Sequence, residues 1–210
     1  MIKCIVTVCG TLSRTAIKRT NREGNPFSAF GIKVIIPDNT GNDKVIEISV
    51  AKDGDEDLSM LTIGSRIEVT GVLTFHKKED NIWLNISATG INSFNAGNKD
   101  SITGDMEFRG TLGKKTIEIK KDKKGKPFKI FFAYSSERIT SATENEDAKY
   151  AFIWVRFVQF NAIGSDWLAP SVGVDVKGDL NLTVYNNNIS LGCRVKELTQ
   201  WDKTQHGTNA

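Results

Sequence analysis

The sequence predicts an all-β protein built as two tandem five-stranded barrels, each with a short helix between its third and fourth strands. Three observations predict it. First, the chain repeats itself. Gly10-Thr11-Leu12 returns as Gly110-Thr111-Leu112, and Gly24-Asn25-Pro26-Phe27 returns as Gly125-Lys126-Pro127-Phe128. "GSRIEVTGVL" (64–73) pairs with "SVGVDVKGDL" (171–180), and "NIWLNIS" (81–87) with "NISLGCR" (188–194). Second, apolar and polar residues alternate along most segments, the period of a half-buried strand. In "RIEVTGVL", Ile67, Val69 and Gly71 face one way and Arg66, Glu68 and Thr70 the other. Third, a glycine interrupts the fourth strand of each copy (Gly71, Gly178), as suits a sharp bend at a barrel corner.

The elements follow one order in both copies. A first strand ends at Gly-Thr-Leu, and a charged hairpin loop leads to a second strand opening at Pro-Phe. The third strand is "KVIEISVA" (44–51) or "YAFIWVRFVQF" (150–160). Short helices are expected over 55–63 and 161–169, with Asp55, Glu56 and Asp57 forming the cap and first turn of the former, where negative charge suits the helix dipole. Strand four, a turn and strand five complete the unit. This is the order of an OB-fold. "NAGNKDSITG" has the composition of a linker. The expected domains are 1–94 and 105–200, joined by 95–104 and followed by a polar tail, 201–210. "ERITSATENEDAK" (137–149) is the main insertion of the second copy.

Composition excludes several classes. The chain has 210 residues, of which 39% are hydrophobic and 25% charged, as in soluble globular proteins. No apolar run approaches the roughly 20 residues of a membrane helix. "MIKCIVTVCGTL" alternates from the start and has no cleavable apolar block. The expected location is the cytoplasm, with no membrane partner. Three cysteines without a CxxC argue against a zinc site or a disulfide framework. No metal and no cofactor are expected.

Catalytic motifs fail. Only His76 and His206 are present, and neither has a matched partner. "FRGTLGKKT" (108–116) lacks the first glycine of a phosphate loop, and Lys115 takes its Ser/Thr position. "DGDEDL" (53–58) starts like a calcium loop, but Leu58 stands where glycine is needed. The chain is not expected to be an enzyme.

Two features point to nucleic acid. The second hairpin carries Lys114, Lys115, Lys120, Lys121, Lys123, Lys124, Lys126 and Lys129 against Glu118 and Asp122. The first carries Arg14, Lys18, Arg19 and Arg22 against Glu23. Lysines also keep exposed hairpin edges from pairing. The bias nevertheless recurs in the loop that flanks an OB-fold's nucleic-acid groove, where it would hold phosphates and make binding salt-dependent. Strands two and three of the second copy are rich in rings: Phe128, Phe131, Phe132 and Tyr134, then Phe152, Trp154, Phe157 and Phe160. One face of each barrel strand fills the interior, so about half of these rings belong to the core. Phe157 is the first choice for core. Trp154 and Phe160 share the face of Arg156 and are the first choices for a stacking platform. Tyr185 sits in the turn between strands four and five, and the matching region of the first copy has Lys77, Lys78 and Trp83.

Residues 154–180 resemble the bacterial single-stranded DNA-binding proteins. Trp154, Arg156, Phe160, Gly178 and Leu180 fall on that family's pattern, and "RGTLG" (109–113) is similar to its opening strand. The resemblance spans most of 105–200. It implies base stacking by Trp154 and Phe160, single-stranded DNA as partner, and a homo-oligomer; for two OB-folds per chain, a dimer. The first copy matches in outline, with Ile46, Ile48 and Lys52 expected at the positions of Trp154, Arg156 and Phe160. The ending "WDKTQHGTNA" departs from the family's acidic tail, so recruitment of repair enzymes through such a tail is not expected. The expected function is non-catalytic, largely sequence-independent binding of single-stranded DNA in replication, recombination or repair. RNA stacks on the same rings and stays open. The alternative is an OB-fold interaction or assembly module with weak or no nucleic-acid binding.

Overall fold

The computed structural model describes residues 1–38, 43–59, 61–78, 81–93, 97–115, 117–140, 149–160, 165–186 and 188–202. Among them all regular structure is β. Eleven strands run β1 (Ile2–Thr20), β2 (Pro26–Ile36), β3 (Lys44–Asp53), β4 (Arg66–Lys78), β5 (Asn81–Ser93), β6 (Ser101–Leu112), β7 (Glu118–Lys121), β8 (Pro127–Thr140), β9 (Lys149–Phe160), β10 (Gly173–Tyr185) and β11 (Asn188–Gln200). No helix among them is long and apolar enough to cross a membrane. The chain divides into two compact units. The first is Lys3–Gly104 with Leu182–Ile189; the second is Met1–Ile2, Asp105–Asn181 and Ser190–Ala210.

In the first unit, β1 pairs with both β2 and β4, β2 with β3, β3 with β5, and β5 with β4. Every strand has two neighbours, so the pairings close into a ring. All are antiparallel except β3–β5. A long, bent β1 makes closure possible. Its first half (Cys4 to Thr11) pairs with β4 and its second half (Thr11 to Thr20) with β2, with register shifts at Leu12/Arg14 and Arg14/Ile17. Such irregularities increase local bend and twist. Gly71 lies at a register shift of β4 against β5, and a Cβ there would sit 2.3 Å from the Ser87 carbonyl. The interior is mainly aliphatic: Val8, Ile32, Ile48, Val69 and Leu73 are fully buried, with Phe30 and Phe75 buried beside them.

The second unit repeats these pairings. β6 meets β10 and β8, β8 meets β9, β9 runs parallel to β11, and β10 and β11 are neighbours. Gly178 takes the place of Gly71, and a Cβ there would meet the Arg194 carbonyl at 2.1 Å. The core differs. Phe157 packs against Phe108 and Phe131, with ring centroids 4.9 and 5.0 Å apart.

Two expectations need correction. The first strand does not end at Gly-Thr-Leu. β1 runs on to Thr20, and in the second unit it breaks after Leu112 and resumes as β7 against β8. Arg14, Lys18, Arg19, Lys120 and Lys121 therefore sit on strands, and the loop itself is short. Nor does a helix form among the described residues of the two expected segments. The residues 55–59, 61–63 and 165–172 are irregular chain with isolated turns; 60 and 161–164 lie outside the described residues. A segment this short has little helical stability of its own. Asp57 Oδ1 accepts the Ser59 N–H at 2.9 Å, the bond an N-cap would make, and here it closes a turn. Asp55 and Glu56 instead pair with Lys18 and Lys52. What each segment does contribute is one buried leucine, Leu58 or Leu168. The insertion at 137–149 falls mostly outside the described residues.

Candidate nucleic-acid interface

The hairpin tips are built alike in both units. Asn21 Oδ1 accepts the N–H groups of Glu23 and Asn25 at 3.0 and 2.9 Å. Asp122 Oδ1 accepts those of Lys124 and Lys126, both at 2.8 Å. Gly24 and Gly125 follow at φ 86° and 77°, a left-handed conformation that glycine takes without steric cost. A turn fastened by its own side chain presents its remaining residues outward: Arg22 in one, Lys123, Lys124 and Lys126 in the other are exposed.

Behind the second tip, β8 and β9 form a face. Their register sets Phe128 opposite Phe160, Phe132 opposite Arg156, Tyr134 opposite Trp154 and Ser136 opposite Phe152. Alternation turns Ala151, Ile153, Val155 and Phe157 inward and leaves Phe152, Trp154, Arg156 and Phe160 exposed. Trp154 is 49% and Phe160 40% exposed, whereas Phe157 is fully buried. Phe131 is core as well. The face carries two ring clusters. Phe128 and Phe160 lie 5.3 Å apart. Tyr134 lies 4.9 Å from Trp154 and meets Phe152 edge-on at 5.4 Å. Arg156 stands between them. The Trp154 indole needs Gly113 beneath it, since a Cβ there would come within 2.7 Å of Cζ3.

Charge is arranged around these rings. The Lys115 Nζ sits over the Phe132 ring at 4.6 Å, and the Arg194 guanidinium over Phe160 at 5.1 Å. Glu118 takes up part of the basic charge, bonding Lys120 Nζ at 2.9 Å and approaching Lys115 at 3.8 Å. The Lys120 hydrogen bond holds the Glu118 carboxyl below the usual carboxylate range. Lys114 and Lys121 are exposed. Lys129 is half-buried against Ser165 at 2.7 Å and belongs to the scaffold. Arg194 escapes the sequence because it reaches the face through the parallel β9–β11 pairing (Arg194 beside Val158), which local periodicity cannot reveal.

The first unit's equivalent face is of another kind. Leu84 answers to Leu191 in the repeat; Ile48 pairs with Leu84 as Val155 pairs with Leu191. Glu47, Ser49 and Asp53 therefore stand at the positions of Trp154, Arg156 and Phe160. The expected equivalents Ile46, Ile48 and Lys52 are one residue out of register, and a one-residue slip exchanges the two faces of a strand. Ile46 and Ile48 are core. Arg14 lies across this face, where Gly31 leaves room for it. It pairs with Glu47 at 2.7 Å and approaches Ser49 at 3.4 Å. Lys18 pairs with Asp55 at 2.7 Å, which raises the Lys18 pKa. Arg19 is exposed, Lys77 half-buried, and the Lys78 side chain lies outside the described residues. Trp83 is 55% exposed on β5, opposite His76 on β4. Tyr185 is exposed at the β10–β11 turn, in the stretch that clusters with the first unit. Among the described residues no cluster of His, Cys, Asp or Glu could hold a metal ion.

Fold and face together define a two-repeat β protein with an aromatic, cation-flanked sheet face in its second repeat. No family model matches the chain, and no curated protein matches it. Among solved structures it is similar to the wild-type single-stranded DNA binding protein from Thermus aquaticus, at 15% identity over 97% of this chain and 94% of that one, with a TM-score of 0.46. It is also similar to Plasmodium falciparum SSB in complex with ssDNA, at 17% identity over 50% of this chain and 99% of that one, TM-score 0.37. A third match is the protein priB from Ralstonia solanacearum, at 15% over 46% and 97%, TM-score 0.33. Likeness at this level assigns neither family nor activity.

Proposed function

We propose that each strand ring is an OB-fold barrel and that the protein binds single-stranded nucleic acid, DNA first, without catalysing a reaction. The carrying observation is the contrast between equivalent faces. One set of positions holds Trp154, Arg156 and Phe160 in the second unit and Glu47, Ser49 and Asp53 in the first. Ring closure does not require exposed aromatics there, because the first ring closes without them. Exposed rings offer stacking worth about 1–3 kcal/mol per base, independent of base identity. Arg156, Arg194 and the hairpin lysines would hold the backbone between and beside the stacked bases. The first unit would serve assembly or extend the strand path through Arg19, Arg22 and Trp83. The wider reading is protection of unwound strands in replication, recombination or repair, by a cytoplasmic protein with domains at 1–94 and 105–200, acting as a homodimer.

The test is oligo-dT binding followed by tryptophan fluorescence at two salt concentrations, alongside the solution mass of the free protein. Quenching with affinity falling steeply in salt supports the reading. No binding at micromolar protein in moderate salt overturns it. That result would favour an interaction module, for which the exposed Ile35–Val45 pair and Trp83 of the first unit are the supporting surface.

A further inference from the structure

In both units the first and second strands of the ring part company beyond one pair of residues: Thr11 opposite Lys33, and Thr111 opposite Tyr134. The first unit fills the resulting seam with a carboxylate. Asp100 Oδ2 accepts the Ile35 N–H at 2.8 Å, and its other oxygen pairs with Arg66. The register makes Ser136 the counterpart of Ile35, since Ile35 faces Val45 as Ser136 faces Phe152. In the repeat Gly173 answers to Arg66, and Trp201 packs against it with Cε3 3.3 Å from where a Cβ would lie.

The second unit's seam is an open cleft of about 480 Å³ whose walls include Thr111, Tyr134, Ser136, Tyr150, Phe152 and Trp201. Among the described residues no carboxylate lines it. The Met1 amino group already engages Ser135 Oγ, which leaves Ser136 and the β8 edge for a ligand. Arg109 adds a guanidinium, shared with Asp175 at 2.6 Å and stacked over Trp201 at 5.5 Å. The Trp201 indole N–H is buried with no acceptor among the described residues. Tyr134 and Phe152 belong at once to this cleft and to the ring cluster around Trp154.

We propose that this cleft is a subsite for one nucleotide: the phosphate takes the place that the Asp100 carboxylate holds in the first unit, and the base stacks among Tyr134, Phe152 and Tyr150. The inference rests on the strand-binding reading and adds an end to the path: the strand leaves the platform and enters the cleft. An anion is called for by the first unit's own solution to the same seam. A base is called for by rings that continue the platform into it. At the first unit's seam the linker already supplies the anion, and Lys33 and Val45 stand where Tyr134 and Phe152 do, so it offers no ring to a base.

The experiment measures the affinity of the full chain for oligo-dT of stepped lengths, for wild type and Tyr150→Ala. Affinity should rise about tenfold, the size of one stacked base, at the length that first reaches the cleft. Tyr150→Ala should lose that step while binding shorter oligomers as wild type does. Ser136→Asp, a surface change that supplies the missing negative charge, should lose it too. A smooth length dependence in wild type, or a step that survives both substitutions, overturns the subsite and leaves the platform standing. If wild type binds no oligomer of any length, the platform reading and the subsite fall together.

Discussion

Trp154 and Phe157 are three residues apart and lie on opposite faces of β9, one exposed and the other buried. Phe157 is sealed between Phe108 and Phe131, so Phe157→Ala should cost about 3–5 kcal/mol of stability, read as a lower urea midpoint. Trp154→Ala should leave that midpoint within about 1 kcal/mol and weaken oligo-dT binding by about 1–3 kcal/mol. If Trp154→Ala melts the domain while the remaining folded protein binds normally, Trp154 is core. Which of the two side chains faces outward was legible in "FIWVRFVQF", because strict alternation settles which side chains share a face. Gly113 was not legible as the seat of the indole, since the contact crosses from one strand to another. Cys193 gives a pH test. Burial pushes its thiol up to about 12 from an ordinary value of 9.0. An unfolded chain ionises this thiol first, so the folded state loses stability as pH rises through 9 towards 12, and loses none below. Urea midpoints should fall over that window in wild type and fall less in Cys193→Ala.

At the scale of elements, the hairpins carry the electrostatics, but not every lysine counts equally. Lys115 and Lys120 share Glu118, while Lys123, Lys124 and Lys126 sit on a turn held by Asp122. Replacing those three by alanine should flatten the slope of log affinity against log salt by up to about 2, from roughly 0.7 per phosphate contact on a single strand. An unchanged slope would mean the tip stays in solvent. The sequence made the basic bias plain, yet it hid the strand character of β1 beyond Leu12, because a charged two-stranded ribbon has little apolar period to read. The helices failed for the opposite reason. Segment 55–63 has acids in the right order, but so short a helix has little stability of its own, and Asp57 spends its side chain on a turn.

Across the whole molecule, two copies of one plan carry different surfaces. The repeat was visible in the glycines and the Pro-Phe pairs because those positions are fixed by the ring. The equivalence of Glu47 with Trp154 was not, because residues facing solvent have diverged and only the strand register aligns them. If the second unit holds the platform, oligo-dT should quench the fluorescence of Trp83→Phe about as fully as wild type, and Trp154→Phe far less. Equal loss in both variants would place bases on both units.

The parallel pairing of β9 with β11 has a consequence for biosynthesis. β9 finds its second neighbour only when residues 188–200 have been made, almost at the end of the unit. Until then it offers an unpaired strand edge beside Phe152, Trp154 and Phe160, the surface most prone to associate with another nascent chain. The first ring draws all its pairings from residues 2–93 and can close while the second is still being translated. A message cut short before β11 would therefore yield a product with that edge open, whereas one cut after residue 93 would carry a closed ring.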